Sequence, residues 1–158
     1  MSGHDPRAVA NEFLELAGEV MPQIKLQKLV YIAHGWNLAI HNEPLVTGDF
    51  EAWDGGPVSR RLWNHIRDFG YVSKKLNDGR SGKEIGSDFS KADLEVIRHV
   101  WNKYGSYSGF DLSEMTHRSG TPWTKAYWER GRNAGIQSKE IKEHFVELAL
   151  AGRRARAS

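Results

Sequence analysis

The sequence predicts a mainly α-helical domain with one small β-hairpin, an α+β fold arranged around a central buried helix. Three observations carry this. Apolar residues recur at helical spacing in several segments, each opened by a capping residue. Residues 24–41 are apolar around nearly the whole helical circumference, which marks a helix enclosed by others. Between that segment and the next helix lie short apolar runs interrupted by glycines, a hairpin signature.

Asp5-Pro6 opens the first helix, with Asp as N-cap and Pro at the first helical position. The helix reaches about Ala17, with Val9, Phe13 and Leu16 on one face, and Gly18 and Pro22 end it. In the second helix, Leu26, Leu29, Val30, Ala33, Trp36 and Ile40 form one stripe, while Tyr31, Ile32, Leu38 and Ala39 fill the other side. Residues 42–58 read as extended. Pro44-Leu45-Val46 and Phe50-Glu51-Ala52-Trp53 flank Thr47-Gly48-Asp49 as a hairpin, and Asp54-Gly55-Gly56-Pro57 forms a sharp turn. A helix over 59–69 is expected to bury Val58, Leu62, Ile66 and Phe69. Residues 70–87 are polar and Gly-rich, an exposed loop.

Ser90 with Asp93 has the capping-box spacing, opening a helix to about Tyr104 that buries Leu94, Ile97, Trp101 and Tyr104. Asp111 and Glu114 cap a short helix carrying Leu112 and Met115, and Thr121-Pro122 starts another with Trp123 and Tyr127 one turn apart. Ser138 opens the last helix, which carries Ile141, Phe145 and Leu148 and ends at Gly152. The expected organisation is one domain over residues 5–151 and a flexible basic tail over 152–158.

The chain has 158 residues, enough for one domain, and six Trp, five Tyr and six Phe to fill a core. Its 22 Lys and Arg against 20 Asp and Glu leave a small positive charge, concentrated in Arg153, Arg154 and Arg156; the remainder is near neutral. That balance disfavours a protein devoted to gripping phosphates. With no cysteine, disulfides, thiolate metal sites and Cys nucleophiles are excluded together. The apolar segments are too short to span a bilayer and no signal-peptide core is visible, so the cytoplasm is the expected location.

No constellation for catalysis, cofactor or metal binding emerges, and an enzyme is not expected. His34 and His41 lie two helical turns apart, about 10 Å along the axis, too far for one ion; His34 reads instead as a satisfied core histidine. Gly79-Arg80-Ser81-Gly82-Lys83 lacks the spacing of a phosphate loop and Glu84 follows the lysine. The pairs Glu12/Glu15 and Glu140/Glu143 sit on outer helix faces. Arg60/Arg61, Lys74/Lys75 and the tail arginines form no recognisable DNA-binding motif, and nucleic acid is a disfavoured partner. On the strand 50–53, Glu51 shares a face with Trp53. A carboxylate held there would pair with Lys25, Lys28 or turn amides; the alternative is an exposed Glu of no consequence.

Three segments together carry a resemblance. They are Lys25-Leu26-Gln27-Lys28-Leu29-Val30-Tyr31-Ile32-Ala33-His34-Gly35-Trp36, then Glu51-Ala52-Trp53-Asp54-Gly55-Gly56-Pro57-Val58, then Leu112-Ser113-Glu114-Met115-Thr116-His117 with Pro122-Trp123. The chain resembles, over residues 8–130, the Panacea domain family of SocA-like antitoxins and GepA-type phage-associated proteins. The resemblance implies a role for Lys25, Gln27, Lys28, Leu29, Tyr31, Gly35, Trp36, Glu51, Trp53, Gly56, Pro57, Val58, His117 and Trp123 as the family motif. It also implies an antitoxin that binds its cognate toxin and, as a proteolytic adaptor, delivers it to the ClpXP protease. Plain steric neutralisation and DNA-binding autoregulation are the alternatives. An adaptor needs two surfaces. Trp63, about 100° off its helix's apolar stripe, and Trp128, beside the Trp123/Tyr127 stripe, are candidate toxin anchors, the alternative being that a small domain buries both from a second side. The candidate protease-facing segment is the basic tail with Arg153, Arg154 and Arg156, or alternatively the loop 70–87.

Overall fold

The computed structural model describes residues 3–157. The chain runs α1 (Pro6–Ala17), α2 (Gln23–His41), β1 (Phe50–Trp53), β2 (Gly56–Ser59), α3 (Arg60–Phe69), α4 (Lys91–Tyr104), α5 (Gly109–His117) and α6 (Pro122–Lys125). A π-helical turn, Ala126–Arg130, then leads to β3 (Gly135–Ile136) and α7 (Ser138–Ala157). The fold is mainly helical with a three-stranded antiparallel sheet, ordered β2-β1-β3. No helix among the described residues is long and apolar enough to cross a membrane.

α2 is the hub. Every residue from Leu26 to Leu38 is buried, and α1, α3, α4, α5, α7 and β2 all pack on it. Gly35 leaves room for the Phe145 ring of α7: a Cβ there would lie 2.2 Å from Phe145 Cε2. The Phe145 ring also packs edge-on against Trp36 and Tyr31.

A helix with no solvent face must satisfy its polar side chains internally, because a buried polar atom without a partner costs about 1–3 kcal/mol. His34 does so with Nδ1, which accepts from the backbone N–H groups of Leu45 (3.3 Å) and Val46 (3.2 Å). Burial pushes its pKa down to about 4, so the ring stays neutral. Gln27 makes a two-way bond with Ser59: Nε2 donates to the carbonyl at 3.1 Å and Oε1 accepts from the N–H at 2.9 Å. Each interaction docks an extended segment onto the hub.

The openings of α1 and α4 follow their local signals, whereas α5 opens earlier than expected: Ser108, not Asp111, is its cap, accepting from the Asp111 N–H. Asp5 caps α1 by accepting from the Arg7 N–H. The Ser90/Asp93 capping box of α4 is formed in both directions. The strand pairing departs from expectation. Leu45 and Val46 are not a hairpin arm; Val46 makes a single parallel bridge to His4, and its N–H goes to His34. The hairpin is β1 with β2, closed by the two-residue turn Asp54-Gly55, a pairing that Asp-Gly favours. Pro57 is tolerated in β2 because that strand lies at the sheet edge. β3, only two residues long, adds to the other side of β1.

Other expectations are corrected at the margins of the core. Phe69, expected inside, is 56% exposed and lies over Gly79. In α4 the buried stripe is Val96, Ile97, Val100 and Tyr104, leaving Leu94 and Trp101 half-buried. The loop 70–87 is not wholly exposed: Asn11 donates to the carbonyls of Leu76 and Ile85 and accepts from the Leu76 N–H, all at 2.8 Å, pinning Leu76 into the core. The last helix does not stop at Gly152. α7 continues to Ala157, so Arg153, Arg154 and Arg156 lie on its final turns; Ser158 lies outside the described residues.

The buried histidine has a pH consequence. Because His34 takes up a proton in the unfolded chain near pH 6.5 but in the folded chain only near 4, stability is full above pH 6.5 and drains as pH falls toward 4, by roughly 3 kcal/mol. Burial pushes His65 and His144 the same way. Urea unfolding at pH 7.0 and 4.5 is expected to show this loss, with a shallower slope in His34→Asn; equal stability at both pH values would contradict it.

Candidate functional site

A cleft of about 440 Å³ opens beside the β1–β2 turn. Ile24, Gln27 and Lys28 of α2 form one side, Trp53 and Val58 of the hairpin the back, and Trp63 of α3 the far wall. Arg132 and Asn133 stand at its edge.

Trp53 is set by a triangle of contacts. Glu51 accepts from the Trp53 indole N–H at 2.9 Å. It also receives a bidentate pair from Arg60, at 2.8 and 3.1 Å. The Arg60 guanidinium holds the Glu51 carboxyl below the usual range and lies 5.2 Å over the Trp53 ring. Trp63 meets Trp53 edge-on, with centroids 5.3 Å apart, and Arg67 lies over the Trp63 ring. Glu51 is therefore held, as one sequence reading expected, but its partner is Arg60 rather than Lys25, Lys28 or turn amides. Lys25 instead donates to the Gly105 carbonyl at 2.6 Å.

Lys28 lies at the cleft floor, 1% exposed. Its Nζ donates to the Pro57 carbonyl at 2.8 Å, the one acceptor it has among the described residues. Burial without a paired carboxylate lowers its pKa to about 7. Gly56 makes room for it: a Cβ there would lie 2.9 Å from Lys28 Cε, and φ is +121°. The position therefore demands glycine on two counts.

The turn is held from behind by residues distant in sequence. Ser113 donates to the Gly55 carbonyl. Trp123 donates its indole N–H to the Trp53 carbonyl at 2.6 Å. Tyr127 donates to Asp54 at 2.7 Å, and Arg132 pairs with the same carboxylate. His117 packs on Trp123 and donates from Nδ1 to the Ser113 carbonyl. Thus Lys28, Gln27, Glu51, Trp53, Gly56, Pro57, Val58, His117 and Trp123 converge on one hairpin and its supports. Leu29, Tyr31, Gly35 and Trp36 lie elsewhere along α2, in the core.

Of the candidate anchors, Trp63 is half-buried in the cleft wall, while Trp128 is 73% exposed and outside the cleft. Residues that sequence reasoning missed are Arg60, Ser113, Tyr127 and Arg132. Only Arg60 had a local signal, nine positions after Glu51 across a tight hairpin. Among the described residues no group of three His, Cys, Asp or Glu side chains is placed to hold a metal ion. The cleft offers an aromatic wall, a buried amine with spare N–H donors, and the Gln23 Oε1 acceptor, which has no hydrogen-bond partner.

The family described as "Antitoxin SocA-like, Panacea domain" matches residues 26–124, a span that includes Gln27, Lys28, the β1–β2 hairpin and Trp123 and leaves out Gln23, Lys25, Arg132 and Asn133. Antitoxin SocA of Caulobacter vibrioides (strain NA1000 / CB15N) is 36% identical over 154 residues, covering 89% of this chain and 82% of the relative. No solved structure matches. Trp128 and the α7 arginines lie beyond the matched segment.

The turn geometry predicts two stability losses. Trp123→Phe removes the indole donor from the Trp53 carbonyl and is expected to cost about 1–2 kcal/mol. Gly56→Ala combines the strained φ with the contact on Lys28 and is expected to cost more than about 1 kcal/mol. Urea denaturation of both variants checks this; wild-type stability in either would show that the corresponding contact does not hold the turn.

Proposed function

The chain belongs to the antitoxin SocA-like, Panacea domain family, and we propose that it acts by binding a cognate toxin protein in the Trp53/Trp63 cleft and delivering it to the ClpXP protease. The observation that carries the binding site is the convergence of the family motif, from separate segments, on one preformed hairpin and its aromatic wall. A binding surface gains affinity from aromatic anchors held rigid before the partner arrives. Trp53 meets that requirement, because Glu51, Arg60 and Trp63 fix its ring. The reading is of a protein without turnover of its own: Gln27, Glu51 and Trp123 spend their polar groups on holding the hairpin.

An adaptor holds cargo and protease together, raising the local concentration of one at the other without new chemistry. Trp63 and Trp128 are assigned to the toxin side. The exposed arginines Arg153, Arg154 and Arg156 on the last turns of α7 are assigned to the protease side. In this reading the protein works in the cytoplasm, where that protease acts.

The test is a reconstitution with the toxin encoded beside this chain and ATP-fuelled ClpXP. Toxin is expected to disappear only when the chain is present. Stable toxin in a tight complex would make the chain a steric blocker, and no complex would end the antitoxin reading. Truncation after Gly152 is expected to leave toxin affinity intact while slowing degradation; an unchanged rate would remove the arginines from the protease side.

The anchors are tested by affinity. Trp63→Ala is expected to weaken toxin binding at least about tenfold, equivalent to about 1.4 kcal/mol, and Trp128→Ala to weaken it as well. Wild-type affinity in both variants would dismiss them as anchors.

A further inference from the structure

We propose that the floor of the cleft is a carboxylate-binding site, in which Lys28 Nζ receives an Asp or Glu side chain of the partner protein while an adjacent aromatic side chain of that partner lies against Trp53 and Trp63. The inference rests on the reading of the cleft as the toxin-binding surface and gives that partner a chemistry.

Lys28 is the one cation on the fully enclosed stretch of α2. A buried ammonium is costly unless a carboxylate and further hydrogen bonds offset its lost hydration. Lys28 has a single carbonyl acceptor and no carboxylate within ion-pair distance, so two of its N–H donors are free of protein partners. By contrast, the carboxylates around the cleft are already engaged: Glu51 by Arg60 and Trp53, Asp54 by Arg132 and Tyr127. Gln23 supplies a second observation. It lines the same cleft, and its Oε1 is buried with no donor. An incoming peptide backbone N–H would satisfy it. The cleft thus presents an unmet demand for an anion at Lys28, an unmet demand for a donor at Gln23, and an aromatic wall beside both.

Engagement is coupled to a proton. The groups facing Lys28 are Gln23, Gln27, the Asp54–Arg132 pair, the Pro57 carbonyl, Thr116 behind Gly56, and Trp63. The Asp54 carboxyl is held low by Arg132 and Tyr127, and Arg132 is held high by Asp54. Neither titrates between pH 7 and 9. Lys28, with its pKa near 7, does so in the empty cleft. A bound carboxylate would restore its proton, so binding takes up a proton and weakens as pH rises above 7.

The probes are N-acetyl-Glu-Trp-amide and N-acetyl-Gln-Trp-amide, which differ in charge at one position. Amide chemical-shift titrations on the full chain follow Gly55, Val58 and the indole N–H groups of Trp53 and Trp63. At pH 7 the Glu peptide is expected to bind at least about tenfold more tightly than the Gln peptide, with the advantage falling toward unity by pH 9. In Lys28→Met the advantage is expected to vanish; should that variant fail to fold, the wild-type pH series decides alone. Equal affinities at pH 7, an advantage that persists to pH 9, or no binding of either peptide would overturn the proposal. Toxin binding measured on the same sample separates the two levels. Toxin bound without a Glu preference sinks the carboxylate site and leaves the antitoxin reading standing. A Glu preference without toxin binding does the reverse.

Discussion

The structure depends on one constraint: α2 has no face in water. Thirteen consecutive residues of that helix, Leu26 to Leu38, are buried, so its polar side chains depend on partners inside the protein; the Tyr31 hydroxyl and the Asn37 Oδ1 go without one. Three of the others bind backbone groups of the segments that follow. His34 takes the N–H groups of Leu45 and Val46, Gln27 takes both backbone groups of Ser59, and Lys28 takes the Pro57 carbonyl. The hub thereby dictates where the hairpin lies, and the cleft is the space left where hairpin, hub and α3 meet.

The hairpin is held a second time from outside. Side chains of α5, α6, the π-turn and the segment before β3 bind the Trp53 and Gly55 carbonyls and the Asp54 carboxylate. This explains how two four-residue strands, marginal by themselves, support a fixed aromatic wall. It also explains why the family motif is spread over three distant stretches of sequence. Its members touch the turn, back a residue that does, as His117 backs Trp123, or line the helix that the turn is docked on.

Much of this was legible wherever physics is local. The Asp5 cap, the Ser90/Asp93 capping box and the all-round apolarity of α2 are each set within a few residues, and the structure has them as read. The stretch Glu51–Val58, which carried the resemblance, lies within the hairpin that forms. What escaped was non-local. Leu45 and Val46 look like a strand, yet a histidine eleven and twelve positions earlier takes their N–H groups. Glu51 announced a held carboxylate but not its partner, because Arg60 comes alongside only when the turn closes at Asp54-Gly55 rather than at Thr47-Gly48-Asp49; the pair lies at the surface, with Glu51 only partly covered. Gly152 looked like a helix end, but a glycine costs only about 1 kcal/mol in a helix interior and is flanked here by Ala, Leu and Arg, all strong helix formers. β3 is too short to leave a periodic trace, and Asn11, which pins the polar loop, is a single side chain with no pattern around it.

The central claim is that the cleft beside the β1–β2 turn is where the partner protein sits. Backbone hydrogen exchange of the chain, free and in complex with the toxin encoded beside it, addresses this directly. The account predicts that toxin slows exchange across Gly55, Val58, Trp63 and Asn133. Slowing confined to α1, α4 or the outer face of α7, with the cleft unchanged, would contradict it.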